Sequence, residues 1–188
     1  TALYGLRDCG GLRAGESLLV LGAAGGVGSA AIAVAKAMGA SVIGAASSKE
    51  KRAAAKASGA DATVDYSQDG WRKDLQQKTS QAGLQLVYDP VGGALAEPAL
   101  RSLAPGGRYL VVGFASGTIP SIPLNLPLLK RCAIVGVDWG GAARADPGLN
   151  QPLLTTLLDW ISAGRLAPAQ VVARPMAEVR AALRDQLA

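Results

Sequence analysis

The chain has 188 residues, 49% of them hydrophobic and 18% charged, with a formal net charge of +5; that is enough for one sizeable domain with a real core. The cations are dispersed and accompany no aromatic-basic motif, so no nucleic-acid partner is expected. The absence of histidine removes the commonest general base and metal ligand from the visible chain.

No apolar run reaches the length of a membrane span, because Lys36, Lys49 and Lys130 interrupt every candidate. Cys9 and Cys132 stand far apart and read as reduced, buried thiols of a cytoplasmic protein. The chain enters at Thr1, and Thr1-Ala2-Leu3-Tyr4-Gly5-Leu6 reads as a helix already under way, so an excised domain or processed fragment is expected.

In chain order, a buried strand is predicted at 17–21, then the glycine-rich turn Gly22-Ala23-Ala24-Gly25-Gly26-Val27-Gly28, a small-residue helix over 25–38 ended by Gly39, and a second strand at 41–46. Ser47-Ser48-Lys49-Glu50 has the Ser-x-x-Glu form of a capping box and opens a helix over 48–58. Further strands are expected at 63–66, 84–88, 108–112 and 132–137, with helices at 71–79 and 94–103 and a proline-rich loop at 119–127. The near-complete apolarity of the sixth strand, Cys132-Ala133-Ile134-Val135-Gly136-Val137, implies burial, although a sixth strand lies at the sheet edge and something must pair or cover it. A long helix over 147–163, a strand at 171–175 and a helix at 176–187 complete the chain. This alternation predicts an α/β, doubly wound parallel sheet of the Rossmann type, strand order 3-2-1-4-5-6, with helices on both faces.

The glycine turn carries one residue more than the usual G-x-G-x-x-G, but its place between a buried strand and a helix is that of a dinucleotide's phosphate-binding turn. Gly22, Ala24, Gly25, Gly26 and Val27 would let backbone N–H groups approach a pyrophosphate, and Gly28 would allow close helix-strand packing. An NAD site usually places Asp or Glu at the end of the second strand, roughly twenty residues after the first glycine. Here Ala45-Ala46-Ser47-Ser48 stand there, with Lys49, Lys51 and Arg52 just beyond, which favours the 2′-phosphate of NADP(H); a solvated helix face is the alternative for those cations. Asp89, in Asp89-Pro90-Val91-Gly92-Gly93, is either a catalytic carboxylate or a cap. Phe114, between Gly113 and Ala115, either lines a nicotinamide pocket or packs into the core.

Together these motifs, with Gly59-Ala60-Asp61, Asp65-Tyr66, Leu103-Ala104-Pro105-Gly106-Gly107-Arg108 and Gly113-Phe114-Ala115-Ser116-Gly117, resemble the medium-chain dehydrogenase/reductase superfamily, and within it the zinc-independent NADPH:quinone oxidoreductase group that includes zeta-crystallin. The resemblance implies that 1–188 is a cofactor-binding domain, with about 165–188 leading back to a catalytic domain not present here. It implies 2′-phosphate contacts at Ser47 and Lys51, Tyr66 near the adenosine phosphate, and Gly113 to Ala115 at the nicotinamide, and Ser48, Asp89 and Val91 are further candidate cofactor contacts. It further implies a homodimer paired through Cys132 to Val137, and hydride transfer to a quinone or enone. No residue of this chain is assigned as a catalytic acid or a metal ligand. The alternatives are the cofactor domain of an enoyl-thioester reductase or zinc alcohol dehydrogenase, and a non-catalytic nucleotide- or RNA-binding relative.

Overall fold

The structure is a computed structural model that describes residues 1–167 and 173–187. Its centre is a six-stranded sheet of order β3-β2-β1-β4-β5-β6, in which β1 (Ser17–Val20), β2 (Ser41–Ala46), β3 (Ala62–Asp65), β4 (Leu84–Asp89), β5 (Leu103–Val111) and β6 (Ala133–Gly136) all pair in parallel. This is the fold class and strand order expected from the alternation of elements.

Successive strand residues point to opposite faces, and both faces are apolar. Leu18, Val20, Val42, Leu86, Tyr88 and Leu110 join one core cluster; Leu19, Leu21, Ile43, Ala45, Val87 and Tyr109 join the other. Strands covered on both sides cannot alternate polar with apolar residues, which is why they read as unbroken hydrophobic runs.

Helices α1 (Gly26–Ala37) and α2 (Lys49–Ala57) place Ala31, Ile32, Ala35 and Ala55 in the first cluster. On the other side, α3 (Trp71–Lys78) and α4 (Ala96–Arg101) place Leu75, Ala96, Ala99 and Leu100 in the second. The chain therefore winds outward from β1 to β3, returns across the sheet to β4 and continues to β6. The order reverses between β1 and β4, so a crevice opens beyond the carboxyl ends of those strands.

Several local expectations are corrected. The cap of α2 is Ser48, whose Oγ accepts from Lys51 N at 3.2 Å, so the box spanning Ser47 to Glu50 is not formed. The Glu50 carboxyl is instead held below its ordinary range by its own backbone N–H and by the Ser48 hydroxyl. Residues 104–107, read as a loop, bulge out of β5, where the register passes from Leu84↔Leu103 to Leu86↔Arg108. Helix α5 (Asn125–Lys130) occupies the end of the supposed proline loop; Pro127 is tolerated because a first-turn residue has no intrahelical acceptor for the N–H it lacks. Helix α6 (Trp139–Ala145) was masked in the sequence by Gly140 and Gly141, and Asp138 caps it by accepting from Gly141 N at 2.8 Å.

Helix α7 (Asn150–Ser162) follows a separate 3-10 turn, Pro147–Leu149, where one helix was expected. Of the strand expected at 171–175, residues 171 and 172 lie outside the described residues and 173–175 form no regular element, before the turn Met176–Glu178 and α8 (Val179–Leu187). Strand β6 sits at the sheet edge, as expected, and within the single chain it is open, with Ile134 40% exposed and only Val135 half-buried among its four residues. Cys9 and Cys132 are free but half-buried rather than buried.

Candidate functional site

The glycine turn leaves β1 at the sheet's carboxyl end. Gly22 takes φ 58°, a left-handed conformation suited to glycine, and its backbone oxygen accepts from Gly25 N at 3.0 Å. A Cβ on Gly28 would lie 2.3 Å from the Gly22 carbonyl oxygen, so Gly28 lets α1 start hard against the turn, the close packing predicted for it.

Gly25 and Gly26 are different. A Cβ on Gly25 would meet only Gly22 O at 3.4 Å, and one on Gly26 would meet nothing within 4 Å. Internal packing therefore does not demand these glycines, and both are exposed. Gly25 is the N-cap of α1 and provides no side-chain cap, so the first-turn N–H groups face outward with the positive end of a twelve-residue helix behind them. Val27 is 44% exposed beside them. A pyrophosphate fits this arrangement: donors converge where no side chain intrudes.

The loops after β4 and β5 form the next wall. Asp89 is 2% exposed. Its Oδ1 accepts from Val91 N at 2.7 Å and Gly92 N at 2.9 Å, and its Oδ2 accepts from the buried Tyr109 hydroxyl. Burial first, and then the Asp89 charge, push the Tyr109 phenol far upward, so it remains a donor. Of the two alternatives for Asp89 the geometry matches the cap: both oxygens are committed to internal donors, and the side chain caps its own turn.

That turn is laced to the β5 loop by Ala115 N to Pro90 O and Ser116 N to Val91 O, both 3.0 Å, while Asp89 O accepts from Gly113 N at 3.3 Å. Val91 leans over the glycine turn, its Cγ2 being 2.8 Å from the position of a Gly22 Cβ. Phe114 lies across Gly92, stays 40% exposed and belongs to neither core cluster, so the core-packing alternative for it is not met. The fold thus brings together Gly22, Val91 and the Gly113-to-Ala115 loop.

At the ends of β2 and β3 stand Ser47 and Lys51, both exposed, with Ser48 and Tyr66 half-buried; the Tyr66 ring leans on the second core cluster. Arg52, counted in the sequence among the cations beside a 2′-phosphate, has a partner that sequence reasoning did not give it. Its Nη1 pairs with Asp65 Oδ2 at 2.5 Å and reaches Ala46 O at 3.5 Å. Ser67 Oγ donates to Asp65 Oδ1 at 2.6 Å. The signal for it was only the long-range pairing of β2 with β3, which sets Ala46 opposite Asp65. Tyr109 was likewise missed, because nothing local marks it as the partner of Asp89.

The zinc-binding dehydrogenase family matches residues 26–158. The bovine quinone oxidoreductase-like protein 2 is 40% identical over 169 residues, covering 89% of this chain and 48% of its own. A quinone oxidoreductase structure from Pseudomonas syringae superposes with TM-score 0.84 at 33% identity, over 98% of this chain and 57% of that one. The mycobacterial Rv1454c structure complexed with NADPH gives 0.86 at 28% identity, over 98% and 58%. The chain therefore belongs to the zinc-binding dehydrogenase family, in the medium-chain dehydrogenase/reductase superfamily with its quinone oxidoreductase-like members, as their carboxyl-terminal cofactor-binding domain. It spans about half the length of the curated relatives it matches. Among the described residues, no group of three or more His, Cys, Asp or Glu side chains could hold a metal ion, and no helix is long and apolar enough to cross a membrane.

Proposed function

We propose that this chain is the NADP(H)-binding domain of a cytoplasmic oxidoreductase that delivers hydride to a quinone or another conjugated carbonyl. The observation that carries the choice of cofactor is the end of β2. There Ala46 and Ser47 stand where an NAD site would carry a carboxylate, next to the N-terminus of α2 and Lys51.

Gly22, Ala24, Gly25, Gly26, Val27 and Gly28 hold the pyrophosphate through backbone N–H groups. Ser47, Ser48 and Lys51 take the 2′-phosphate, and Tyr66 flanks the adenosine. Asp89 fixes the turn that carries Val91, and Gly113, Phe114 and Ala115 orient the nicotinamide. When bound, NADPH supplies the hydride; the chain contributes its orientation. Residues 1–188 form one cofactor domain, and about 165–188 lead toward a catalytic domain that shares the acceptor pocket.

The apolar β6 edge supports a homodimer through Cys132 to Val137. Ile134 on the strand and the exposed Leu128 and Leu129 of α5 lie at this end of the sheet, where an unpaired strand edge invites its own copy.

The test is a titration followed by nicotinamide fluorescence. NADPH is expected to bind at least about tenfold tighter than NADH, a difference of about 1.4 kcal/mol, and Lys51→Glu to abolish the preference. Equal affinities in the unaltered chain refute the reading. A screen of the full-length protein with quinones, enones, enoyl thioesters and alcohols then identifies the acceptor, and activity confined to enoyl thioesters or alcohols replaces the quinone assignment.

A further inference from the structure

We propose that the Arg52–Asp65 ion pair is a selectivity device, in which Arg52 masks a carboxylate that would otherwise stand against the 2′-phosphate. This deepens the NADP(H) reading above and rests on it.

In the parallel register of β2 and β3, Ala46 pairs with Asp65. Ala46 ends β2, the position from which an NAD-type acid reaches the ribose hydroxyls. Asp65 is the last residue of the adjacent strand, one strand spacing of roughly 4.8 Å away. The acid that β2 lacks is therefore present at the same end of the sheet, supplied by β3.

An uncompensated carboxylate there would repel the dianionic 2′-phosphate. Arg52 prevents this. It sits on the first turn of α2, just after Lys51, and its guanidinium bridges Asp65 Oδ2 at 2.5 Å and the Ala46 carbonyl oxygen at 3.5 Å. Ser67 holds the other carboxylate oxygen twice, through Oγ at 2.6 Å and its backbone N–H at 3.0 Å. The Ser67 Oγ also lies 3.4 Å from the Ser47 carbonyl oxygen. The side chains of Arg52 and Asp65 are 24% and 22% exposed, open enough to meet a ligand yet fixed by four polar contacts. With Arg52 spent on Asp65, Lys51 and the α2 N-terminus are left for the phosphate.

The pair could instead be a plain staple of α2 to β3, or Arg52 could itself grip the phosphate. These three roles give different double-mutant cycles. NADPH and NADH affinities are measured by fluorescence titration for the unaltered chain, Arg52→Gln, Asp65→Asn, the double variant and Arg52→Lys, with thermal unfolding recorded for each.

Masking predicts that Arg52→Gln loses at least about tenfold in NADPH affinity while NADH binding holds or improves, and that adding Asp65→Asn restores most of the NADPH affinity. Asp65→Asn alone and Arg52→Lys keep the preference. Failure of the double variant to recover means that Arg52 grips the phosphate and overturns the masking role alone. Equal losses for both cofactors, tracking lowered stability, show a staple and overturn it as well. If Arg52→Gln does not fold, loss of NADPH preference in Asp65→Asn refutes masking and its retention or increase supports it. An unaltered chain with no preference refutes the NADP(H) reading itself, and masking with it.

Discussion

Two tyrosines on neighbouring strands allow the value of one buried hydroxyl to be measured against the other. Tyr109 on β5 is 2% exposed and donates to the buried Asp89 carboxylate; Tyr88 on β4 is fully buried on the opposite face, and its hydroxyl has no partner among the described residues. Burial pushes the Tyr88 phenol up to about 12, so it too is protonated at neutral pH. Replacing Tyr109 with Phe removes one of the three donors to Asp89 and leaves the carboxylate partly unsatisfied in a water-free setting. A hydrogen bond to a charged group contributes about 1.5–3 kcal/mol, so a loss of about 2 kcal/mol is expected. Replacing Tyr88 with Phe removes a buried hydroxyl that gains nothing on folding, and should raise stability by about 1 kcal/mol. At this chain length 1 kcal/mol moves Tm by about 2–4 °C, so Tyr109→Phe should melt about 4–8 °C lower and Tyr88→Phe about 2–4 °C higher. Differential scanning calorimetry and urea titration at pH 7 measure both. Equal destabilisation by the two substitutions would refute the reasoning, since it would mean that the Tyr88 hydroxyl has a partner; a neutral Tyr109→Phe would show that the Val91 and Gly92 N–H groups suffice for Asp89.

Other consequences concern acid stability and assembly. Arg108 binds Glu16 through both terminal nitrogens at 2.8–2.9 Å and also donates to the Gly10 and Gly11 carbonyl oxygens. This holds the Glu16 carboxyl below the usual carboxylate range. A depressed folded value means that the contribution is complete above the unfolded value of about 4.3 and is lost as pH falls through the folded one. Glu16→Gln should cost about 2 kcal/mol at pH 7 and nearly nothing near pH 2, measured by urea unfolding at both; an unchanged difference would dismiss the pair as the source. For the β6 edge, Ile134→Lys should convert a dimer to a monomer in sedimentation equilibrium, and an unaltered mass would exclude this edge as the interface.

Much of the framework around the candidate site was legible because its determinants are local. The order of strand, glycine turn and helix around Gly22 to Gly28 follows from backbone sterics and short-range periodicity, and a two-sided sheet leaves its mark as continuous apolar runs. What was misread had a local signal that pointed the wrong way. Two glycines hid α6, Pro127 hid α5, and the serine pair offered two candidate caps of which the helix uses the second. The apolarity of β6 was correctly seen, and the strand is open in the single chain, since composition does not say which neighbour covers an edge.

The sequence alone therefore determined the absence of a carboxylate after β2 and the alternation of strands and helices along the chain, from which the fold class and strand order follow by the winding rules of parallel sheets. Only the tertiary structure decided the work of Asp89 and the company of Arg52. Asp89 is bound to Tyr109, twenty residues away, and Arg52 meets Asp65 because two strands lie side by side in one register. Such pairings are set by how the sheet is assembled, and nothing in the residues' own neighbourhoods records them.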